Sequence, residues 1–491
     1  MNEQDNIQSR IQRIAINATI RTANTLTDII QNVTVVSIVG LAASAAGYFM
    51  FFNWLSHQDQ IALLRYLPAI VSIVGFMYAI YKAVPVIEDF WGLKRTRINT
   101  SHPLCTYIAI AMWLIFINSF FFAFGFQIEN GVPFHEMLYN FFGRYGNDTN
   151  HYINIARQWY QNSQDDYKFK IVFFPFYAIL IRIMYFVSPS YMFAAYAVST
   201  IFAFAAGVML YKLAMLITNP KEARLAVKFM FIFPSAFFLF MPMTESLFLF
   251  LSVAVVYYAI KAKYIQVFIF GVMAALTRSV GVLLFIPAAC EIINQMRISY
   301  KNVISQSSDA ASLRFMARIR LGLSRSELLK FTSLLAFPLG IGIYLLINYM
   351  VYGNATQFMI FQYEHWGQSM YFFWNTVTYL SIGITNFNTG IVLGLFIPGV
   401  IVIFLTLGVI IYGANKIRPS LTLYAMAYFI FAFGPTWLMS GPRYAMVIFP
   451  LAFAAAKLAG TKKGYNLGLT IAYLVMFALY FNELIRNNFV F

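Results

Sequence analysis

Apolar runs recur along almost the whole of this chain, and they restrict its fold more than any single motif. They lie near 33–52, 66–87, 104–126, 171–187, 191–217, 225–241, 245–260, 264–293, 331–351, 390–413, 420–438, 444–459 and 466–485. A helix needs about 20 apolar residues to cross a hydrocarbon core roughly 30 Å thick. Backbone polar groups inside lipid must be satisfied by the segment itself, so helices and closed barrels alone can span. Barrel strands are short and alternate in polarity, which these Leu-, Ile- and Phe-rich blocks do not. Charged residues make up 11% of the chain, against about 25% in soluble domains. The expected fold class is an all-α polytopic membrane protein, a bundle of about 11–13 membrane segments with an outer loop of short helices.

The net charge of +16 does not point to nucleic acid. Lys and Arg cluster at the ends of apolar runs, as the positive-inside rule requires. Cys105 and Cys290 both fall in apolar runs and make neither a disulfide framework nor a zinc spacing. The five histidines are scattered, with no His-Glu-x-x-His pair, so no metal site and no cofactor are expected. Residues 1–32 are too long and polar for a cleavable leader. Ile7, Ile11 and Ile14 share one helical face there, as in a helix lying on a membrane surface. Residues 1–103, with two apolar runs and the basic stretch from Lys94 to Arg97, read as an accessory unit that could dock a partner protein. Residues 104–491 read as one continuous core.

Basic segments set the orientation. Arg10, Arg13 and Arg21, the Lys94–Arg97 stretch and the segment from Arg297 to Lys330 all belong on the cytoplasmic side. The polar loop from Gln127 to Lys170 then faces the other way. If every run crossed once, Lys212, Lys221, Arg224, Lys228, Lys261 and Lys263 would fall on the outer side, against the rule. The conflict disappears if 264–293 is re-entrant with its turn at Thr277–Arg278, and if one of 171–187 and 191–217 does not cross. Each half of 264–293 is then roughly 22 Å long, short of the core thickness.

This topology gathers the outward-facing charged residues on one side. They are Asp148, His151, Arg157, Asp165 and Asp166 in the first loop, Glu245 and Arg278 in apolar runs, and Glu364, His365 and Arg443 further on. An ionisable group inside a span costs about 2.5–3.5 kcal/mol on insertion scales and is a functional candidate for that reason. Glu245 and Arg278 could equally be a mutual ion pair joining two spans. One carboxylate beside arginines suits sugar transfer from a lipid phosphate. The attacking hydroxyl must lose a proton to a base, while the departing phosphate needs charge stabilisation from a guanidinium fork. Glycoside hydrolysis would instead need two carboxylates at a set separation. Asp148 could also be a turn or cap residue in Asn-Asp-Thr-Asn. Trp159, Trp366 and Trp374 read first as interfacial anchors, and Asp165–Asp166 as a solvated pair. Gly271, Gly281, Gly340 and Gly342 read as sites of close helix packing.

Several strings carry a resemblance. Asp148, Tyr152, Ile155, Ala156 and Tyr160 keep the pattern D-x-x-x-Y-x-x-I-A-x-x-x-Y, followed by FFPFY at Phe173–Tyr177. Further on come FPSAFFLFMPMTESLFLFLS (Phe233–Ser252), ALTRSVGVLL (Ala275–Leu284) and GPRYAMVIFPL (Gly441–Leu451). Together and in this order they resemble the PIG-V-type mannosyltransferases (GPI mannosyltransferase II) and their bacterial relatives, over about Leu104 to the C-terminus. The resemblance implies a GT-C-type glycosyltransferase. Such an enzyme moves a hexose such as mannose, with inversion, from a polyprenyl-phosphate-linked donor to a membrane-associated glycan or glycolipid acceptor on the non-cytoplasmic face. It implies Asp148 as base and carries over Glu245, Arg278 and Arg443; Tyr152 of the motif, and His151, Arg157, Glu364 and His365 on the same outer side, are further candidates for substrate binding. Asn147 stands where the family usually has Trp. A bacterial plasma membrane with an outward-facing site is the expected location. A lipid or sugar transporter (flippase) and a catalytically inactive GT-C-like scaffold are the alternatives. Against the transporter, the two halves show no internal repeat, and the charges gather on one side of the membrane.

Overall fold

A computed structural model of the chain describes residues 142–143, 147–161, 170–306, 325–435 and 440–485. All of them fall in one of the chain's two compact units, Ile117–Phe491. The apolar runs before residue 127, and with them the surface helix and the accessory segments expected in 1–103, lie outside the described residues. So do Asp165 and Asp166.

The described chain is helical, with an isolated bridge between Met370 and Pro435 and no strand. The helices are α1 Asn147–Gln158, α2 Pro175–Tyr185, α3 Tyr191–Ile217, α4 Pro220–Phe231, α5 Glu245–Ile260, α6 Tyr264–Ala275, α7 Phe285–Gln306 and α8 Arg325–Leu334. After these come α9 Ala336–Tyr352, α10 Gln357–Trp366, α11 Phe373–Asn386, α12 Thr389–Gly413, α13 Pro419–Phe433, α14 Gly441–Met446, α15 Pro450–Thr461 and α16 Lys463–Ile485. Among the described residues, five stretches are long and apolar enough to cross a membrane: Tyr191–Ile217, Ser279–Ser299, Glu327–Tyr352, Thr389–Gly413 and Lys463–Leu484. The chain is therefore an all-α, polytopic integral membrane protein.

Local chemistry starts and stops these helices. Asn219 Oδ1 accepts the Glu222 N–H at 2.9 Å ahead of Pro220, capping α4. Ser190 Oγ does the same for Phe193 at the start of α3. Glycines with positive φ, Gly353 (+69°) and Gly367 (+58°), end α9 and α10. α5 is buried on every side, from Glu245 through Ala259, and is the centre of the bundle. α3, α6 and α7 pack against it.

Two expected runs break differently from their hydropathy, and two helices form where no run was expected. Residues 225–241 are not one span. α4 stops at Phe231, and Ile232–Thr244 is a buried, irregular stretch with a single 3-10 turn at Ala236–Leu239. Pro234 and Pro242 explain this: proline lacks an N–H and pushes the preceding residue out of the α region. Run 444–459 is likewise interrupted at Val447–Phe449, before Pro450. Between 351 and 390, α10 and α11 form where no run was expected. They mix polar residues such as Gln362, Glu364, Asn375 and Thr376 into an apolar background, which hides them from a hydropathy reading.

Of the two runs of which one was expected not to cross, α2 is the short one. Its 11 residues reach only about 16 Å, whereas α3 has 27. The segment from 264 onward doubles back. α6 ends at Ala275, Arg278 is extended (φ −151°, ψ 149°), and a 3-10 turn over Ser279–Leu284 leads into α7. α7 returns along α5, so Gln295 accepts from Tyr264 Oη at 2.7 Å and donates to the Ala259 carbonyl at 2.8 Å. The turn falls at Thr277–Arg278 as expected. The first leg, of 12 residues, is too short to cross, but the expectation fails for the second: Ser279–Ser299 is long and apolar enough to cross, because α7 runs on past residue 293 to Gln306.

The glycines divide. A Cβ on Gly340 would sit 2.6 Å from Ala275 Cβ, and one on Gly271 would sit 2.9 Å from Ala336 Cβ, so α6 and α9 touch through small residues. A Cβ on Gly281 would lie 2.2 Å from the Ala274 carbonyl oxygen, pressing the turn onto the end of α6. Gly342 has nothing within 4 Å of such a position and is not a packing glycine.

Candidate functional site

Four charged side chains from four distant segments meet. Asp148 sits in the first turn of α1, where the helix dipole favours a carboxylate. Burial of Thr149, Tyr152, Ile153 and Ala156, spaced i, i+3, i+4 and i+7, fixes the inner face of that helix. Glu245 begins α5, Arg278 lies in the extended link after α6, and Arg443 lies on the short helix α14.

Arg443 bridges both carboxylates. Its Nη1 donates to Asp148 Oδ2 at 2.5 Å, and its Nε donates to Glu245 Oε1 at 2.5 Å. Arg278 Nη1 donates to the same Glu245 oxygen at 2.6 Å and to Thr244 Oγ1 at 3.2 Å. A single oxygen of Glu245 thus holds two guanidinium groups. Aromatic faces back both cations, Tyr444 (5.2 Å) and Phe248 (5.9 Å) for Arg278, Phe238 (5.8 Å) for Arg443. Ser235 Oγ donates to the Pro442 carbonyl at 2.6 Å and pins the irregular stretch to the start of α14.

Exposure is graded across the network. The side chain of Glu245 is 0% exposed, Arg443 5%, Arg278 12% and Asp148 30%. Asp148 is the most exposed of the four. Among the described residues its Oδ1 takes no partner, nor do Arg278 Nε and Nη2 or Arg443 Nη2. Glu245 Oε2, Thr149 Oγ1 and Ser246 Oγ are sealed from solvent without a hydrogen bond.

Tyr152 and His151 line the same helix. The Tyr152 ring stands edge-on to Phe173 and Tyr177, each 5.2 Å away, and His151 stacks on Phe173 at 4.6 Å. Burial pushes the His151 imidazole below its ordinary pKa; the Asp148 charge opposes this and the Lys170 charge adds to it. The FFPFY string is therefore the wall behind α1. Tyr177 Oη is in turn bound to Ser199 Oγ (2.7 Å) and to the Ala195 carbonyl (2.9 Å) on α3.

Three expected site residues are not part of the network. Arg157 lies nine residues beyond Asp148, about 14 Å along α1 and on its opposite face. It is exposed, with its guanidinium 5.2 Å over the Tyr191 ring. Glu364 and His365 are exposed on α10, where His365 packs against Phe361 at 5.3 Å. Loop position alone had suggested all three. Conversely, Thr244, Phe238, Phe248 and Tyr444 were not singled out. All four lie in the strings Phe233–Ser252 and Gly441–Leu451, and that membership is the signal the sequence offers for them. Among the described residues no three metal-ligating side chains gather.

Geometry and composition define an integral membrane protein with a partly open ion network. In comparison with known proteins, no protein-family model matches the chain and no curated protein is significantly similar to it.

Proposed function

We propose that this protein is a membrane glycosyltransferase that moves a hexose, with mannose the first candidate, from a polyprenyl-phosphate donor to a membrane-associated glycan or glycolipid on the non-cytoplasmic face. The carrying observation is the meeting of Asp148 with Arg443 and, through Glu245, with Arg278: a reachable carboxylate beside two cations supplied by remote segments. In this reading Asp148 takes the proton of the acceptor hydroxyl as that oxygen bonds to the anomeric carbon. The bond from the anomeric carbon to the phosphate oxygen breaks with inversion, and its electron pair leaves on the polyprenyl phosphate. Arg278 and Arg443 have unused N–H donors for that phosphate, where charge accumulates in the transition state. Tyr152 and His151 would border the acceptor side. The aromatic resemblance strings and the ordered charged motifs support the same reading.

Transfer of labelled mannose from a short-chain polyprenyl-phosphate mannose to a membrane glycolipid extract, by the purified protein in nanodiscs, is the direct test. Asp148→Asn should reduce turnover by at least about 10³-fold while the protein stays folded and monodisperse. Near-normal transfer by this variant would remove Asp148 as the base, and absence of transfer in the unaltered protein with every hexose donor would remove the reading.

A further inference from the structure

Arg443 makes two bonds that differ in one respect. Its Nε bond to Glu245 joins side chains 5% and 0% exposed, whereas its Nη1 bond to Asp148 joins side chains 5% and 30% exposed. Solvent and dissolved anions reach the outer bond and not the inner one. An ion pair open to water is worth little, while a sealed one is costly to break because a bare charge would stay buried. When an anion competes for this guanidinium, the bond to Asp148 therefore yields and the bond to Glu245 persists. Glu245 cannot follow, because the same oxygen is held by Arg278. The guanidinium is one rigid plane that turns about the Cδ–Nε bond. Nε lies on that axis and stays beside Glu245, while Nη1 and Nη2 lie off it, so a limited swing draws Nη1 away from Asp148 and keeps the Nε bond, bent, in place.

Resting on the transferase reading, we infer that Arg443 is a two-position arm, and a positioning residue for the base. Without donor it is tied to Asp148. With the phosphate of a lipid-borne donor in place, its fork turns onto the phosphate oxygens and releases the Asp148 carboxylate for the acceptor hydroxyl. The base is then free only when a donor is bound. Phosphate and Asp148 are competitors for one guanidinium, which gives the inference a sign that simple scaffolding lacks.

The test is a double-mutant cycle on binding. The whole protein in detergent is titrated with a short-chain polyprenyl phosphate, and binding is followed by calorimetry. Asp148→Asn should bind this lipid roughly two- to fivefold more tightly than the unaltered protein, the fold-change expected for losing one partly exposed competing ion pair. Arg443→Gln should bind it more weakly, and adding Asp148→Asn to Arg443→Gln should bring no gain. A gain of the same size in both backgrounds would mean that Asp148 merely repels the phosphate, and would overturn the arm. Unchanged or weaker binding by folded Asp148→Asn would overturn it too. If Arg443→Gln does not fold, Arg443→Lys replaces it: one ammonium cannot span both carboxylates as the planar fork does, so the gain must shrink there as well. Repeating the cycle with inorganic phosphate separates the sources of the anion, and coupling confined to inorganic phosphate overturns the assignment to a lipid-borne group. Binding is read without turnover. A flat cycle with intact transfer thus removes the arm alone, and an intact cycle without transfer removes the reaction alone.

Discussion

Replacing Glu245 with Gln keeps the shape of the side chain and deletes one negative charge from the best-sealed point of the site. Among the described residues, Arg443 (5% exposed) then keeps Asp148 as its one ion-pair partner and Arg278 (12% exposed) keeps none. Removing one partner of a buried pair costs about 3–5 kcal/mol. The two bonds share an oxygen, so their losses do not add, and about 3–5 kcal/mol is the expectation for the whole substitution. The chain contains its own controls. Glu291 on α7 accepts Arg418 Nε at 2.5 Å and Nη2 at 2.6 Å, and also Ser420 Oγ, but Arg418 is 35% exposed. Glu291→Gln should cost about 1.5–3 kcal/mol, the range for hydrogen bonds to a charged group. Glu222 pairs with Lys457 at 2.6 Å with side chains 15% and 29% exposed, and Glu222→Gln should cost about 1 kcal/mol or less. Thermal unfolding of the three variants in one detergent, followed by tryptophan fluorescence, gives the ranking. Glu291→Gln or Glu222→Gln proving as damaging as Glu245→Gln would refute the argument that burial of the partner decides the cost.

Gly281→Ala should destabilise by about 1–3 kcal/mol, because the new methyl meets backbone at 2.2 Å; Gly342→Ala, with open space around it, should stay within about 0.5 kcal/mol. The same thermal assay reads both, and equal effects would contradict the packing. His151 has a folded-state pKa below its ordinary 6.5, so the unfolded chain binds more protons as pH falls. Stability should therefore be flat above about pH 6.5 and decline below it. His151→Gln should flatten that decline, and an unchanged pH profile would show that His151 does not cause it. Single cysteines placed at Lys263 and Arg297 in a cysteine-free background should react with an impermeant maleimide from the same side of the membrane, and one at Asn154 from the opposite side. Labelling of 263 and 297 from opposite sides would contradict the doubling back of α6 and α7.

Much of this architecture was legible because hydropathy reports lipid burial directly, as for α3, α12 and α16. The turn at Thr277–Arg278 was legible through charge, since Lys261, Lys263 and Arg297 all demanded one side. The irregular stretch after Phe231 was not, because its residues are as apolar as a span and only Pro234 and Pro242 interrupt the helix. α10 and α11 escaped for the opposite reason, being helices too polar to register as apolar runs. At the site, Glu245, Arg278 and Arg443 stood out as charges set in or beside apolar runs, and Asp148 as the carboxylate of the polar loop that opens the D-x-x-x-Y string. Arg157, Glu364 and His365 met the same criterion of side but not of position, and helical geometry separates Arg157 from Asp148. The sharing of one Glu245 oxygen by two arginines depends on three-dimensional closure and leaves no local trace.

The segment that leaves near Tyr264 and returns beside Gln295 also bears on how such a chain is made. A translocon that threads residues 264–293 as one ordinary helix would deliver every later segment inverted. The polypeptide must therefore fold back at Thr277–Arg278 before, or while, its downstream half is released into lipid. Arg278, sheltered by Glu245 at the start of α5, the helix made before α6, then gains its counter-ion early enough for biogenesis to steer the correct orientation.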